Sequence, residues 1–298
     1  MSQTPPTHDT APRPIVRRAV GVLCLGLAVV LGVPMLLYFL QERLIFHPQR
    51  LTASQRDTLV DRPGFKGVTI QAASGERLRG WLAGQASSAP QPLVLYFGGN
   101  AEEVSWMLSH AQSFQGWRLA LINYRGYGDS EGRPSEQALF ADALTVYDTL
   151  TKREDVDGSR VVVIGRSLGS GIAVYLASHR ALDALVLISP YDSIRSIAHA
   201  RYPYIPVDLL LKHPFDSLSR ASDIRTPLVA LVAGRDRTVA PERSARLVAA
   251  WGGAAEIVHF PEADHQSIAS DRRYWRTFER VLRQTVSAPA LPRVRSSN

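Results

Sequence analysis

The sequence predicts an α/β architecture: a mostly parallel eight-stranded sheet with helices on both faces, preceded by one N-terminal transmembrane helix. Three observations predict it. Residues 19–40, AVGVLCLGLAVVLGVPMLLYFL, carry no charge. After residue 65, runs rich in Val, Ile and Leu alternate with helix-length segments, the pattern of strands covered on both faces. Of the 298 residues 45% are hydrophobic, enough for one large core.

The N-terminal element comes first. As a helix, residues 19–40 would measure about 33 Å, against about 30 Å for a bilayer core. Pro34 is tolerated within lipid, and Tyr38 and Phe39 suit an interface. Every face of this helix is apolar, unlike the one-sided stripe of a core helix. The run closes in LLYFLQERLIF, which has no small-x-small cleavage site, and Cys24 follows GVL too early for a lipoprotein signal. The reading is a retained, single-pass signal anchor at 19–40, between a tail at 1–18 and a connector at 41–65. Arg13, Arg17 and Arg18 before it place the tail in the cytoplasm and the bulk of the chain on the non-cytoplasmic side. Arg43 and Arg50 beyond it pull the other way.

The domain is predicted at 66–286, with a C-terminal tail at 287–298. GVTIQAA (67–73) and RLRGWLA (77–83) flank SGE as a hairpin. Six buried strands follow: PLVLYF (92–97), RLALINY (118–124), RVVVIG (160–165), ALVLIS (184–189), LVALVAG (228–234) and AEIVHF (255–260). Helical segments lie near 101–114, 135–152, 167–180, 241–251 and 267–285. Residues 190–227 are too long for a simple crossover. Their Pro-, aromatic- and aliphatic-rich HARYPYIPVDLLLKHPF predicts a small cap over the strand ends.

The formal charge of +7 comes from scattered arginines without a basic block, so no nucleic-acid partner is predicted. One cysteine excludes an intramolecular disulfide and a cysteine-ligated metal. No two histidines have zincin spacing, and neither a metal nor a cofactor is predicted.

Chemistry concentrates at VVVIGRSLGSGIAVYLA (161–177). GRSLG matches G-x-S-x-G between an apolar strand and an apolar helix. A sharp strand-to-helix turn strains the serine backbone, and flanking glycines make room for it. Ser167 would then project above the sheet. The same letters read as G-x-x-x-G-x-G, a dinucleotide-binding turn. Against that reading, the turn follows about the fifth strand rather than the first. No Tyr-x-x-x-Lys pair occurs, and no acidic residue closes ALVLIS to hold a ribose.

A nucleophilic serine needs a base and an acid that orients the base, here in the order Ser, Asp, His beyond successive strands. Asp236 stands two residues past Gly234, and His265 five residues past Phe260. Asp192, in ISPYDS, is the alternative acid. His259 alternates within a strand and reads as a sheet-face residue. Asp264 reads as a helix cap, Ser170 as a packing or capping serine, and His199 and His213 as cap residues. Oxyanion donors are expected at the Leu168 amide and in GGNAEEV after PLVLYF, where Asn100 is the second donor.

These motifs together (YFGGNAEEV, NYRGYGDSEGRPSE, IGRSLGSGIA, HPFDSLSRASDIRTPLVALVAGRDRTV and FPEADHQS) resemble membrane-anchored α/β-hydrolases, grouped with serine-aminopeptidase-like and protein-depalmitoylase-like members. The resemblance runs from about residue 40 to 285. It implies an α/β-hydrolase fold with Ser167 as nucleophile, Asp236 as acid, His265 as base and oxyanion donors at Asn100 and Leu168. Relatives commonly carry HGN where this chain has Gly98, Gly99 and Asn100, so a histidine that helps organise that loop is missing. NYRGYGDSEG (123–132) is expected to shape the cavity wall. The expected function is a membrane-anchored serine hydrolase acting on an acyl ester or thioester, lipid-like if membrane proximity guides it. The alternative is a non-catalytic membrane-tethered binding protein of the same fold.

Overall fold

The structure, a computed structural model, describes residues 14–60 and 64–287. The predicted tails at 1–18 and 287–298 lie outside these residues, except for 14–18 at the start of the first helix and Ser287 at the end of the last. Helix α1 (Pro14–Ile45) contains Pro34 and runs past residue 40, and the short α2 (Ala53–Val60) follows it. Within α1, Gly21–Ile45 is long and apolar enough to cross a membrane, and its most apolar stretch is unburied.

Strands β1 (Phe65–Gln71) and β2 (Arg77–Ala83) form the antiparallel hairpin. β3 (Gln91–Phe97), β4 (Arg118–Ile122), β5 (Val156–Arg166), β6 (Ala184–Ile188), β7 (Leu228–Ala233) and β8 (Ala255–Phe260) are mutually parallel. The sheet order is β1-β2-β4-β3-β5-β6-β7-β8. β8 is the far edge strand and is largely exposed, so its apolar run is not buried on both faces as expected.

Helices α3 (Glu136–Leu150), α4 (Leu168–Ala177), α5 (Ile194–Arg201), α6 (Val207–Leu210), α7 (Leu218–Ala221), α8 (Pro241–Ala249) and α9 (Arg272–Ser287) cover the sheet and its edge. The segment expected as a helix at 101–114 is a 3₁₀ run, Val104–Phe114, opened by the Glu103 carboxylate accepting from the Ser105 amide. Two apolar layers sandwich the strands. Leu93, Leu95, Val161 and Val163 point into one, and Val94, Tyr96, Val162 and Ile164 into the other, as the two-residue strand period requires. All eight of these side chains are essentially inaccessible, which fixes the register of β3 against β5 and hence the relative height of the loops that leave them.

Candidate active site

β3 lies between β4 and β5, so successive crossovers leave it in opposite directions and a crevice opens at the carboxyl ends. The loop after β3 meets the turn after β5 there. A Cβ built on Gly99 would lie 3.9 Å from the Ser167 Cβ.

β5 ends at Arg166 and α4 begins at Leu168, so Ser167 alone makes the turn, at φ 50° and ψ −117°. That backbone is strained for a serine and needs outside support. Its amide donates to the Ile188 carbonyl at 2.9 Å, and its carbonyl accepts from the Ser170 amide at 2.8 Å and the Ser170 Oγ at 2.7 Å. The flanking glycines are sterically required. A Cβ at Gly165 would sit 2.5 Å from the Gly169 carbonyl oxygen, and one at Gly169 would sit 2.2 Å from that of Phe97.

His265 Nε2 is 3.0 Å from Ser167 Oγ, and His265 Nδ1 is 2.7 Å from Asp236 Oδ2. The Asp236 side chain is 1% exposed. Its Oδ1 accepts from the Val239 amide at 2.7 Å and the Thr238 amide at 2.9 Å. Burial pushes the Asp236 carboxyl up, but the hydrogen bonds from His265 and Val239 outweigh it and hold the group below its ordinary value. An ionised Asp236 makes His265 Nδ1 the donor and leaves Nε2 to accept from the serine hydroxyl.

The structure gives the other candidates different surroundings. Asp192 accepts from the Ser193 amide and Ser196 Oγ and pairs with Arg243 at 3.2 Å and Arg246 at 2.8 Å, away from His265. Asp264 accepts from the amides of Gln266 and Ser267 at the head of a 3₁₀ turn. His259 is exposed on β8. His199 faces Asp208 at 3.1 Å, whereas His213 is buried against Phe46. Arg125 forms a two-pronged pair with Asp142, at 2.7 and 2.6 Å. No residue of 123–132 lines the cavity, which corrects the wall role expected for that loop. Instead it braces the β3 loop from behind: Tyr124 Oη donates to the Gly98 carbonyl and Tyr127 Oη to the Asn100 carbonyl, both at 2.7 Å.

Asn100 and Leu168 both line the cavity beside Ser167, and among the described residues neither amide has a protein acceptor. Leu168 opens α4, whose first amides have no partner within the helix.

Sequence reading missed Glu102, a carboxylate only 7% exposed. Its Oε1 accepts from Tyr96 Oη and Trp106 Nε1, both at 2.6 Å. Its Oε2 accepts from the Gly99 amide at 2.8 Å and Arg166 Nη1 at 2.9 Å. Arg166 in turn donates through Nη2 to the His265 carbonyl at 3.2 Å. One buried ion pair therefore ties the β3 loop to the loop that carries the histidine. The one signal available was an acid just past a glycine pair, because its partners come from three separate elements.

Above Ser167 lies a cavity of about 300 Å³. Its lining is mostly aliphatic, including Ile194, Ile197, Val207 and Leu210 from the 190–227 segment. Leu37, Tyr38, Gln41, Leu44 and Ile45 of α1 close another side.

Comparison with known proteins bears on the family and the fold. Residues 88–212 match the family described as serine aminopeptidase, S33. An uncharacterized Mycobacterium tuberculosis protein is 35% identical over 250 residues, covering 83% of this chain and 88% of that one. An uncharacterized membrane protein of Saccharomyces cerevisiae is 27% identical, over 80% of this chain and 87% of its own. Among solved structures, a Pyrococcus furiosus esterase superposes with a TM-score of 0.63 at 17% identity, covering 81% of this chain and all of the other. The sheet order, the serine turn and these relatives together show that the chain belongs to the α/β-hydrolase family.

Proposed function

We propose that this protein is a membrane-anchored serine hydrolase that cleaves an acyl ester or thioester through an acyl-enzyme. The observation that carries the reading is the continuous hydrogen-bonded line from Ser167 Oγ through the His265 ring to Asp236, at 3.0 and 2.7 Å.

Ser167 Oγ attacks the acyl carbonyl carbon while His265 Nε2 takes the hydroxyl proton. Asp236 stabilises the resulting imidazolium. The carbonyl oxygen becomes an oxyanion, held by the amides of Asn100 and Leu168. Collapse expels the alcohol or thiol, which leaves with the proton from His265. Water then enters, gives a proton to His265 as it attacks the acyl carbon, and the Ser167 Oγ–acyl bond breaks, Ser167 taking that proton back from His265 and releasing a carboxylic acid. The aliphatic cavity supports an acyl chain rather than a charged substituent. α1 supplies the anchor, and Arg13, Arg17 and Arg18 before it, against Arg43 and Arg50 beyond it, favour a domain on the non-cytoplasmic side.

A fluorophosphonate probe tests the reading: wild type is labelled and Ser167→Ala is not. Folded wild-type protein that resists labelling would favour the tethered binding protein instead. Rates on a panel of p-nitrophenyl esters and acyl thioesters then rank leaving group and chain length.

A further inference from the structure

We infer that the segment joining α5 to α7 is itself seated in the bilayer interface beside α1, so that the cavity draws its acyl chain from the membrane. The seating stands on geometry alone; the identity of the chain rests on the hydrolase reading.

Outside α1, the two most exposed large apolar side chains among the described residues are Tyr204, at 96%, and Leu209, at 81%. Both lie in this one segment. Neither contributes to the cavity, although their neighbours Ile205 and Leu210 do. Such side chains in water have no stabilising role in the fold, and two of them in one short segment suit contact with lipid.

The segment is fixed to α1 at a definite depth. Gln41, only 7% exposed, donates to the Leu210 carbonyl at 3.0 Å and accepts from the Lys212 amide at 2.7 Å. Lys212 Nζ lies 4.1 Å from the Tyr38 ring centroid. An apolar helix that spans a bilayer carries its aromatic belt at the interface. Tyr38 and Phe39 therefore mark that level, and Gln41 lies about 4.5 Å further along the axis. Leu209 precedes the carbonyl that Gln41 holds, within the zone where interfacial residues reach about 5–10 Å into the headgroup boundary. The nearby charges fit that level. Arg43, Arg201 and Lys212 are exposed cations, able to extend to headgroups. Asp208, beside Leu209, faces His199 at 3.1 Å and Arg195 at 3.6 Å. The cavity behind this lip is walled by α1 on one side and by the segment on the other, so its rim meets lipid.

The test uses the full chain reconstituted in phosphatidylcholine vesicles containing a minor share of phosphatidylglycerol. With Cys24→Ser as background, an environment-sensitive fluorophore is placed on Leu209→Cys and, as control, on Ser159→Cys, an exposed position at the opposite end of β5. Seating predicts a blue shift and quenching by brominated lipid at 209 and neither at 159. Aqueous emission and no quenching at 209 would overturn it. Activity gives the second arm. In the double variant Tyr204→Asp with Leu209→Asp, hydrolysis of soluble p-nitrophenyl butyrate should stay at the wild-type rate. Hydrolysis of a vesicle-embedded palmitoyl ester should fall about tenfold or more, as apolar contact with lipid is lost. Equal rates on both substrates would overturn the lateral route. An unlabelled wild type in the fluorophosphonate assay would sink the hydrolase reading, and the quenching arm would still decide the seating.

Discussion

Replacing Glu102 by Gln keeps the shape of the side chain and removes its charge. Four donors now converge on two carboxylate oxygens: Tyr96 Oη and Trp106 Nε1 on one, the Gly99 amide and Arg166 Nη1 on the other. An amide offers one oxygen and one NH₂ group, so at least one N–H donor loses its acceptor, whichever way the amide turns. Arg166, whose side chain is 14% exposed, keeps its charge without a carboxylate partner. Removing one member of a buried pair costs about 3–5 kcal/mol. At about 2–4 °C per kcal/mol for a domain of this size, Tm should fall by about 6–20 °C. In either orientation the neutral amide holds the Gly99 N–H less firmly than the carboxylate does, and the Asn100 amide shifts with it. Deleting an oxyanion donor outright costs about 10²–10³ in kcat, so displacing one should cost about ten- to a hundredfold, with KM nearly unchanged. The assays are thermal unfolding and p-nitrophenyl butyrate hydrolysis. The double variant Glu102→Gln with Arg166→Met separates the two effects. It should regain most of the lost Tm, since no orphan charge remains, but not the rate, since nothing then holds the His265 carbonyl. A folded Glu102→Gln protein with kcat within about threefold of wild type would refute the coupling between this ion pair and the oxyanion loop.

Asp236→Asn should lower kcat by about 10³–10⁴ with little change in KM, whereas Asp192→Asn should lower Tm through loss of its Arg243 and Arg246 partners and leave kcat near wild type; steady-state kinetics and calorimetry separate them. Asp236 titrates below its ordinary value of 3.8 in the folded state, so its contribution to stability is fully present above that pH and is lost as pH falls through the folded value. Denaturant titrations below about pH 4 should therefore show a shallower acid loss in Asp236→Asn than in wild type. Gly169→Ala forces a methyl to 2.2 Å from the Phe97 carbonyl oxygen, so the end of β3 must move; about 1–3 kcal/mol of stability and most fluorophosphonate labelling should go together.

What the sequence disclosed and what it hid follow from the range of each interaction. The strands were legible because burial on both faces leaves uninterrupted Val, Ile and Leu runs. β8, AEIVHF, reads as one more apolar strand, but Glu256 and His259 interrupt its run and are exposed, as its place at the sheet edge allows. The turn at Ser167 was legible because its steric demand falls on residues two positions away, Gly165 and Gly169. Asp236 and His265 could be expected because each follows a strand at a height set by sheet register. Glu102 could not, since its partners Tyr96, Trp106 and Arg166 converge only once β3, the 3₁₀ segment and β5 are packed. The same holds for Gln41, which in sequence is one polar residue at the end of an apolar helix.

The loop Gly98–Gly99–Asn100 shows why these long-range contacts matter. Two glycines give a loop little stiffness of its own. The peptide group between Gly98 and Gly99 is held at both ends, by Tyr124 Oη on its carbonyl and Glu102 on its N–H. The peptide group after Asn100 is held by two donors to its carbonyl, Tyr127 Oη at 2.7 Å and the His47 amide at 3.1 Å. The Asn100 side chain donates to the Ile45 carbonyl at 3.3 Å, the last residue of α1. With its neighbours clamped on both sides, the peptide group between Gly99 and Asn100 has one orientation to adopt, and its N–H is the one without an acceptor. The Asn100 side chain also lies 3.2 Å from His47 Nδ1, so three of the four contacts on Asn100 come from the end of α1 and the chain leaving it. Cutting the protein between α1 and the domain should therefore do more than remove an apolar helix: it removes part of what aims the proposed oxyanion donor.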